Sequence, residues 1–350
     1  MNSASLIAWY RQHKRDLPWR TTREPYAIWL SEVILQQTRV NQGMDYYHRF
    51  LELFPTVFDL AAASEDEVLK AWQGLGYYSR ARNLHATARK VAGELKGVFP
   101  RSAAELKQLK GVGEYTAAAI ASFCYDECVP VMDGNVQRVV ARMLALEEPV
   151  DKPGGRNVIQ RALEDWIDRN DPATFNQAIM EFGALQCTPQ KPACEVCPLN
   201  SQCEAFAQRR VLDFPVKAGK IKVTDVWMYY IVAVHGSEVL VRHRLHSGIW
   251  KGLYDFPSFD TEEAQNWETM LHRWKAERAG KLSVALESAP VELLHVLSHR
   301  RVHAVFAEVR LTKRIEPREA EQWIAIDQLP VLGVSRLVDR YVSEHSKLLG

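Results

Sequence analysis

Apolar residues recur three or four positions apart through most of the first 210 residues, which is the spacing of amphipathic helices. Pro25 precedes one such helix at 26–38, and Ser64 with Glu67 forms a capping-box pattern at the start of another. Further helices are predicted within 1–24 and at 44–54, 56–63, 115–123, 136–145, 156–168 and 173–185. The first part of the chain is therefore predicted to be all-α. Its early basic residues are expected to form a solvated face: Arg11, Lys14, Arg15, Arg20 and Arg23.

Residues 208–224 contain Pro, Gly and basic residues and have no helical spacing. After this segment, the spacing of apolar residues changes from that of helices to that of strands. Strands are predicted at 226–234 and 239–244, joined by a short His-Gly-Ser turn, and again at 302–311 and 322–326. Helices are predicted at 262–279 and 335–346. This part of the chain is expected to be an α+β domain.

Composition places the chain among globular proteins long enough for two domains. It has 350 residues, 47% hydrophobic and 25% charged, with a net charge of +1, so bulk charge gives no argument for nucleic-acid binding. No apolar run has the length of a membrane span, and the start lacks a signal-peptide pattern. We therefore expect a cytoplasmic protein with no membrane partner.

The stretch 106–138 contains the strongest local signal. Gly111-Val112-Gly113 lies between two predicted helices, where glycines permit a sharp turn and the next helix N-terminus favours an anion such as phosphate. Asp133 follows an apolar run, where a buried carboxylate would be costly. The alternative is a Gly-rich helix–helix turn followed by a capping aspartate.

Glu32 interrupts the apolar stripe of the 26–38 helix, four residues after Ile28 and three before Leu35. Burial there would raise its pKa and keep a proton available near neutral pH, as a general acid requires. The alternative is a glutamate at the edge of the stripe that pairs with an arginine. From spacing alone, both interpretations stay open.

A turn at 74–85 combines glycines, tyrosines and arginines. Tyr77 could enter a base stack while Arg80 and Arg82 hold phosphates. Packing explains Tyr78 equally well.

Four of the six cysteines fall within 17 positions, which is typical of a metal site and not of a disulfide framework. They are Cys187, Cys194, Cys197 and Cys203. A zinc ribbon usually has two Cys-x-x-Cys pairs, whereas this run has one pair and two outlying cysteines. The pattern suits a loop around a [4Fe–4S] cluster, with zinc as the alternative. Cys124 and Cys128 are expected to have no function.

These motifs together resemble the MutY-type adenine DNA glycosylases of the helix-hairpin-helix and endonuclease III superfamily. The resemblance rests on WLSEVILQQT, GLGYYSRARNLH, LKGVGEYTAAAI, MDGNVQRV and the cysteine run. It implies an all-α catalytic region at 1–207, with a six-helix part at about 25–133 and an iron–sulfur part formed by 1–24 and 134–207. A linker at 208–224 and a Nudix-like domain at 225–350 would follow.

By this resemblance, the protein is a bacterial, nucleoid-associated monomer that removes adenine paired with 8-oxoguanine or G in double-stranded DNA. Glu32 would protonate adenine N7, Asp133 would stabilise the oxocarbenium ion, and Asn135 would orient the carboxylates. Tyr115 stands where strand-cutting relatives have a Schiff-base lysine, so the enzyme is expected to be monofunctional and to leave an abasic site.

The resemblance also implies contacts with DNA and with the lesion. Gln37 and Tyr77 would fill or wedge the base stack when adenine is flipped out, with Gly111 and Gly113 at the phosphates. In the C-terminal domain, Ser298 and His299 match the lesion-reading loop of the family, while Leu297 departs from its aromatic residue. The alternative makes Leu297 a core residue and the pair a strand entry.

Three rival functions remain open at this point. A thymine- or uracil-mismatch glycosylase would carry the same cluster and tyrosine, and a non-catalytic iron–sulfur protein would not need Glu32 and Asp133. A Nudix hydrolase would need an Arg-Glu-x-x-Glu-Glu helix, which is missing from residues 262–280.

Overall fold

The computed structural model describes residues 1, 3–219, 223–246, 248–278, 284–286 and 289–345. The chain separates into two compact units, each built from two segments. Unit 1 comprises 1–62 and 83–219, and unit 2 comprises 63–82 and 220–350. The predicted helix ends at 279 and 346, and positions 220–222 of the predicted linker, lie outside the described residues.

Unit 1 is helical, as its hydrophobic spacing predicts. The helices of the chain before the sheet are α1 (Ser3–His13), α2 (Pro25–Ile34), α3 (Val40–Leu53), α4 (Val57–Ala62), α5 (Glu65–Ala71), α6 (Ser79–Gly93), α7 (Ala103–Leu106), α8 (Glu114–Tyr125), α9 (Gly134–Met143), α10 (Pro153–Trp166), α11 (Pro172–Leu185) and α12 (Glu204–Ala207). Helix α5 begins with the predicted capping box of Ser64 and Glu67 and belongs to unit 2. Helix α2 ends at Ile34, four residues before the predicted end.

The buried face of α2 forms a central part of the unit 1 core. Trp29 is almost fully buried and packs against Phe99, with ring centroids 5.4 Å apart. Ile28, Leu30 and Ile34 are buried on the same helix. This packing fixes the rotation of α2 and therefore the direction in which Glu32 points.

Unit 2 is built around a mixed sheet with two further helices. Its elements are β1 (Thr224–His235), β2 (Glu238–His243), β3 (Tyr254–Asp255), β4 (Ser258–Thr261), α13 (Trp267–Ala276), β5 (Val284–Leu286), β6 (Val291–Val296), β7 (Arg300–Leu311), β8 (Glu321–Ala325) and α14 (Arg336–Glu344). The long strands β1 and β7 run parallel, with Trp227 opposite His303. Trp274 of α13 packs on a core that includes Ile231 and Val309.

The order β3-β2-β1-β7-β5 defines the sheet, with β4 on β1, β6 on β7 and β8 on β2. The predicted turn between β1 and β2 is confirmed, because His235 pairs with Glu238 across Gly236 and Ser237. Strands β3, β4, β5 and β6 are not among the sequence predictions. Segment 63–82 packs in this unit as well: the Lys70 ammonium donates to the carbonyls of Pro330 and Leu332, at 2.5 and 3.1 Å.

Candidate active site

Glu32 is buried within the apolar face of α2, with 6% of its surface exposed. Burial raises the pKa of its carboxyl to about 7, and the nearby charge of Asp133 acts in the same direction. A hydrogen bond with Tyr115 and the charge of Arg20 oppose this shift. Glu32 therefore holds a proton near neutral pH, and the alternative of an edge glutamate paired with arginine does not describe its position.

Asp133 is the N-cap residue of α9. One carboxylate oxygen accepts from the backbone N–H of Val136 at 2.7 Å, and the other accepts from the Asn135 side-chain amide at 2.8 Å. Burial raises the pKa of Asp133 above its ordinary value, and these hydrogen bonds and the charge of Arg138 offset only part of that rise. The capping interpretation and the catalytic interpretation are compatible, because the helix N-terminus favours an ionised carboxylate.

The charges of both carboxylates act on the buried phenol of Tyr115. It lies in the first turn of α8, and its hydroxyl is hydrogen-bonded to Glu32. Burial raises the pKa of the Tyr115 phenol well above its usual range, and the charges of Glu32 and Asp133 raise it further. The structure therefore brings the side chains of α2, α8 and α9 together at one place.

Arg20, whose charge acts on Glu32, belongs to a buried ion-pair network that the sequence does not predict. Glu181 of α11 has a side chain that is only 1% exposed, and it accepts hydrogen bonds from Arg15 and Arg20 at distances between 2.6 and 2.9 Å. Burial alone would raise the pKa of Glu181, but these arginines lower it to about 2. The expected solvated face is thus wrong for Arg15 and Arg20. No short-range pattern links residues more than 160 positions apart.

The two glycines of the turn before α8 differ in what the fold requires of them. Gly111 has a φ of +79°, and a Cβ atom there would lie 2.6 Å from the Cβ of Asn83. Gly113 is the exposed N-cap of α8, and a Cβ atom there would meet open space. Gly111 is therefore needed for the turn itself, whereas Gly113 leaves the helix N-terminus accessible to a ligand.

The four cysteines of the 187–203 loop line one cavity together with hydrophobic residues and Arg142. Arg142 is almost fully buried and holds the loop through its guanidinium group. It donates to the carbonyls of Thr188 and Pro189 at 2.7 and 2.8 Å and to the Cys187 sulfur at 3.3 Å. The loop backbone is thereby fixed from the side of α9.

Four thiols that line one shared cavity can supply the ligand set of an iron–sulfur cube.

A chain of hydrogen bonds runs from Asp133 to the cysteine loop. Asn135 donates to Asp133 and accepts from Arg138 at 2.9 Å. Arg138 in turn donates to the carbonyls of Gly183 and Cys187, at 2.7 and 2.9 Å. The N-terminus of α9 therefore holds both the carboxylate and the start of the loop.

Two residues predicted to contact the base stack have left-handed backbones. Gln37 has a φ of +57° and is exposed, and Tyr77 has a φ of +48° with 48% of its surface exposed. Such conformations are uncommon for residues other than glycine and cluster at functional positions. Arg80 donates to the carbonyls of Leu75 and Gly76 at 3.4 and 3.3 Å, so it also supports the turn.

Ser298 and His299 are the two residues of the turn between β6 and β7, because the Leu297 N–H donates to the Arg300 carbonyl at 2.8 Å. Both are exposed. The Ser298 hydroxyl is hydrogen-bonded to the hydroxyl of Tyr77, which belongs to the same unit. The alternative of a core Leu297 is not supported, since this side chain is only half-buried.

A cavity of about 340 Å³ lies beside this hairpin. Its polar lining includes Tyr77, Ser298, His299 and Arg82. Its apolar lining includes Leu75, Ile249, Trp250, Val296 and Leu297. Arg82 also donates to the Lys251 carbonyl at 2.5 Å. The structure thus brings the predicted wedge tyrosine and the predicted lesion-reading pair to one site within unit 2.

Three family models match the chain. Residues 30–167 match the HhH-GPD superfamily of base excision DNA repair proteins, and 228–344 match the NUDIX domain. Residues 187–203 match the iron-sulfur binding domain of endonuclease III, which confirms the prediction of an iron–sulfur cofactor over zinc. The predicted fold class, a helix-hairpin-helix region followed by a Nudix-like domain, is confirmed as well.

None of the described helices has the length and apolar composition needed to cross a membrane.

Among solved structures, a thermostable thymine-DNA glycosylase is similar over 59% of this chain and 95% of its own, with a TM-score of 0.55 and 26% identity. An endonuclease III bound covalently to DNA is similar over 59% of this chain and 94% of its own, with a TM-score of 0.52 and 22% identity. At this level of identity, the similarity indicates a shared fold and nothing about activity.

Adenine DNA glycosylases are similar along nearly the whole sequence. The Mus musculus enzyme is 35% identical over 93% of this chain and 71% of its own. The enzyme of Buchnera aphidicola subsp. Acyrthosiphon pisum is 28% identical over 99% of this chain and 97% of its own. The Arabidopsis thaliana enzyme is 34% identical over 98% of this chain, which spans 64% of the length of that relative. The chain therefore belongs to the adenine DNA glycosylase family.

Proposed function

We propose that this protein hydrolyses the N-glycosidic bond of adenine mispaired with 8-oxoguanine or G in duplex DNA and leaves an abasic site. One observation carries the proposal. A buried glutamate with a pKa of about 7 lies within electrostatic reach of a second carboxylate and is hydrogen-bonded to a buried tyrosine. Two carboxyl groups whose surroundings give them different protonation states are what glycoside hydrolysis requires.

With a pKa of about 7, Glu32 carries a proton in a substantial fraction of molecules at neutral pH. Its burial is nearly complete, whereas Asp133 keeps hydrogen bonds from Val136 and Asn135 that favour its ionised form. Adenine leaves poorly as an anion and readily as a neutral base, so proton donation from Glu32 to adenine N7 lowers the barrier to bond cleavage. Tyr115 fixes the orientation of the Glu32 carboxyl through its hydrogen bond.

Asp133 stabilises the positive charge that develops on the sugar as adenine departs. Its carboxylate is held in place by the first turn of α9 and by Asn135, so little reorganisation is needed during the reaction. Water then completes the hydrolysis at the sugar carbon. Because Tyr115 cannot form a Schiff base as a lysine can, we expect no strong strand-cutting step.

The target adenine must leave the base stack before this chemistry, since the acid is buried in a helical region. Gln37 and Tyr77, both exposed and both in left-handed conformations, are suited to occupy the disturbed stack. The accessible N-terminus of α8 at Gly113 offers a binding place for a DNA phosphate, with Gly111 forming the turn that presents it. Arg80 and Arg82 add positive charge near Tyr77.

Recognition of the base opposite adenine belongs to the hairpin of unit 2. Ser298 and His299 offer hydrogen-bonding groups at the mouth of the cavity, and Tyr77 is in contact with this hairpin. Helix α13 carries a single carboxylate, Glu268, so it lacks the acidic side chains that would hold Mg²⁺ for pyrophosphate hydrolysis. We infer that this domain binds DNA and does not hydrolyse nucleotides.

Cys187, Cys194, Cys197 and Cys203 would hold a [4Fe–4S] cluster, and Arg142 and Arg138 hold the loop that carries them. When bound, the cluster would supply a rigid support for this loop. A repair enzyme with one site needs no second subunit, so we propose a monomer that acts on chromosomal DNA in the cytoplasm.

The Glu32→Gln variant tests the assignment of the acid. Glutamine preserves the size of the side chain and its neutral state but has no acidic proton to donate. We expect adenine release from an A·8-oxoguanine duplex to fall at least about 10²-fold. Binding of the same duplex should stay within about twofold of the wild type, because the acid acts mainly in the transition state.

The exposed Glu52→Gln on α3 is the matched control and should retain full activity. Single-turnover release of adenine and a binding titration measure both properties. Full turnover by the Glu32→Gln variant would show that Glu32 is misassigned.

A further inference from the structure

Trp250 has a backbone conformation that is unfavourable for a bulky aromatic residue. Its φ is +63°, in the left-handed region, within a loop that also contains Gly248 and Gly252 at positive φ. Glycine would adopt this conformation at no steric cost. A tryptophan held in such a conformation points to a role for its ring.

The surrounding loop is strongly fixed, which explains how the unfavourable backbone persists. The Trp250 carbonyl accepts from the Leu253 N–H at 3.1 Å, and the Gly252 N–H donates to the Arg244 carbonyl at 2.8 Å. A Cβ atom on Gly252 would lie 3.1 Å from Leu69 of α5, so the loop backbone packs closely on that helix. Trp250 is therefore held by hydrogen bonds and packing on both sides.

The indole of Trp250 forms part of the wall of the cavity beside the β6–β7 hairpin. Only 9% of its surface is exposed, and its ring meets that of His295 on β6 edge-on, with centroids 5.8 Å apart. The wall thus combines a rigid aromatic surface and aliphatic side chains with the hydroxyl groups of Ser298 and Tyr77. A flat heteroaromatic ring with a polar edge matches this distribution of groups.

We propose that Trp250 is a specificity-determining residue that packs against the base opposite the excised adenine, while Ser298 and His299 contact the polar edge of that base. The proposal rests on the function proposed above and adds the residue that supplies the apolar contact. Stacking of a base on an aromatic side chain contributes enough to change affinity by roughly tenfold or more.

A thermodynamic cycle that combines one substitution in the protein with one change in the DNA tests this contact. Wild type and Trp250→Leu are titrated with duplexes whose target adenine nucleotide resists hydrolysis. One duplex carries 8-oxoguanine opposite the adenine, and the other carries a sugar without a base. We expect Trp250→Leu to weaken binding of the 8-oxoguanine duplex about tenfold and to change binding of the baseless duplex less than about twofold.

Three further variants complete the design. Trp250→Phe keeps an aromatic ring and should bind both duplexes nearly as the wild type does. Trp250→Gly removes the ring and relieves the left-handed backbone, so it replaces the leucine variant if that variant fails to fold. Trp323→Leu, at a half-buried tryptophan that is not part of the cavity lining, is the control and should leave the ratio of the two affinities unchanged.

Equal weakening of both duplexes by Trp250→Leu and Trp250→Gly would overturn the proposal, because it would mean that the ring supports only the loop. Unchanged binding of both duplexes would overturn it as well. If the wild type binds the two duplexes equally, the cavity does not recognise the base opposite adenine. That result would contradict the proposed function of the hairpin, and therefore the Trp250 contact as well.

Discussion

The proposed role of Glu32 as a buried acid has a cost in the free energy of unfolding. Its folded-state pKa of about 7 lies above the ordinary value of 4.5, so folding favours the protonated form. The resulting stability is fully present below pH 4.5 and is lost as pH rises through about 7. At pH 8 the buried charge costs about 3 kcal/mol, which follows from 1.36 kcal/mol for each pKa unit. Glu32 therefore lowers the stability of the fold above neutral pH, a cost that its proposed role as the general acid would explain.

The hydroxyl of Tyr115 tunes this acid, and Tyr115→Phe isolates its effect. Its hydrogen bond lowers the pKa of Glu32, so removal of the hydroxyl should raise that pKa further. If Glu32 is the acid, as proposed above, adenine release should decline as pH rises through about 7 in the wild type. In Tyr115→Phe the alkaline limb of single-turnover rate against pH should move to higher pH. A limb that stays in place or moves to lower pH would contradict this role.

The sequence predicts the identity of these residues better than their interactions. Glu32 is recognisable because a carboxylate interrupts an apolar stripe, and Asp133 because an acid follows an apolar run. The raised pKa of Glu32 follows from its predicted burial, but the groups that oppose the pKa rise of Asp133, the hydrogen bonds from Val136 and Asn135 and the charge of Arg138, become visible only in the folded structure. The left-handed conformation of Trp250 likewise depends on a loop that is fixed by distant segments.

Among the elements, α11 determines how the start of the chain is anchored. The buried carboxylate of Glu181 forms ion pairs with Arg15 and Arg20, and these ion pairs hold the segment after α1 against α11. Glu181→Gln removes the charge and leaves two arginines without their carboxylate. We expect this variant to lose roughly 3–5 kcal/mol of unfolding free energy, as measured by its thermal midpoint or by urea.

The pH dependence of this network provides a second readout. Since the pKa of Glu181 is lowered to about 2, its contribution is present above the ordinary value of 4.5 and is lost as pH falls toward 2. The difference in stability between wild type and Glu181→Gln should therefore shrink over that range. The exposed Glu164→Gln on α10 serves as the control. A wild-type-like melting temperature for Glu181→Gln would contradict a structural role for the network.

The cysteine loop depends on α9 through Arg142, which donates to several loop carbonyls. Arg142→Lys keeps the positive charge but cannot span these acceptors. We expect the purified variant to contain less iron per chain and to show a weaker visible absorbance band. Cys128→Ser, at an exposed cysteine outside the loop, should keep full iron content. Equal iron in both variants would show that the loop forms without Arg142.

Helices long enough to repeat their apolar spacing over several turns could be predicted from the sequence, whereas short strands could not. Helices α9, α10 and α11 each present several turns of apolar spacing, and the predicted ranges agree with them to within a few residues. Strands β3 and β4 have only two and four residues, too few to show alternation. Strand β6 alternates between half-buried and exposed positions, and several of its exposed residues are apolar, which hides the pattern.

At the scale of the whole molecule, the two units do not follow the order of the chain. Residues 63–82, which carry Tyr77, are grouped with residues 220–350 and not with the helical residues that flank them in sequence. The predicted domain boundary near 207 follows the change in hydrophobic period, which reports local structure and gives no information on long-range packing. The domain boundaries at 207 and 225 stay a prediction. Unit 2 contains both Tyr77, the predicted wedge residue, and the β6–β7 hairpin.

In the proposed reaction, a protonated carboxyl group promotes release of adenine, and the base opposite determines which adenine is removed. A duplex series with A, T or U opposite G and opposite 8-oxoguanine, with the released base identified in single turnovers, distinguishes this reaction from that of a thymine- or uracil-mismatch glycosylase. We expect release of adenine, fastest opposite 8-oxoguanine, and no release of thymine or uracil. Release of thymine or uracil without adenine would show that the protein is not an adenine glycosylase.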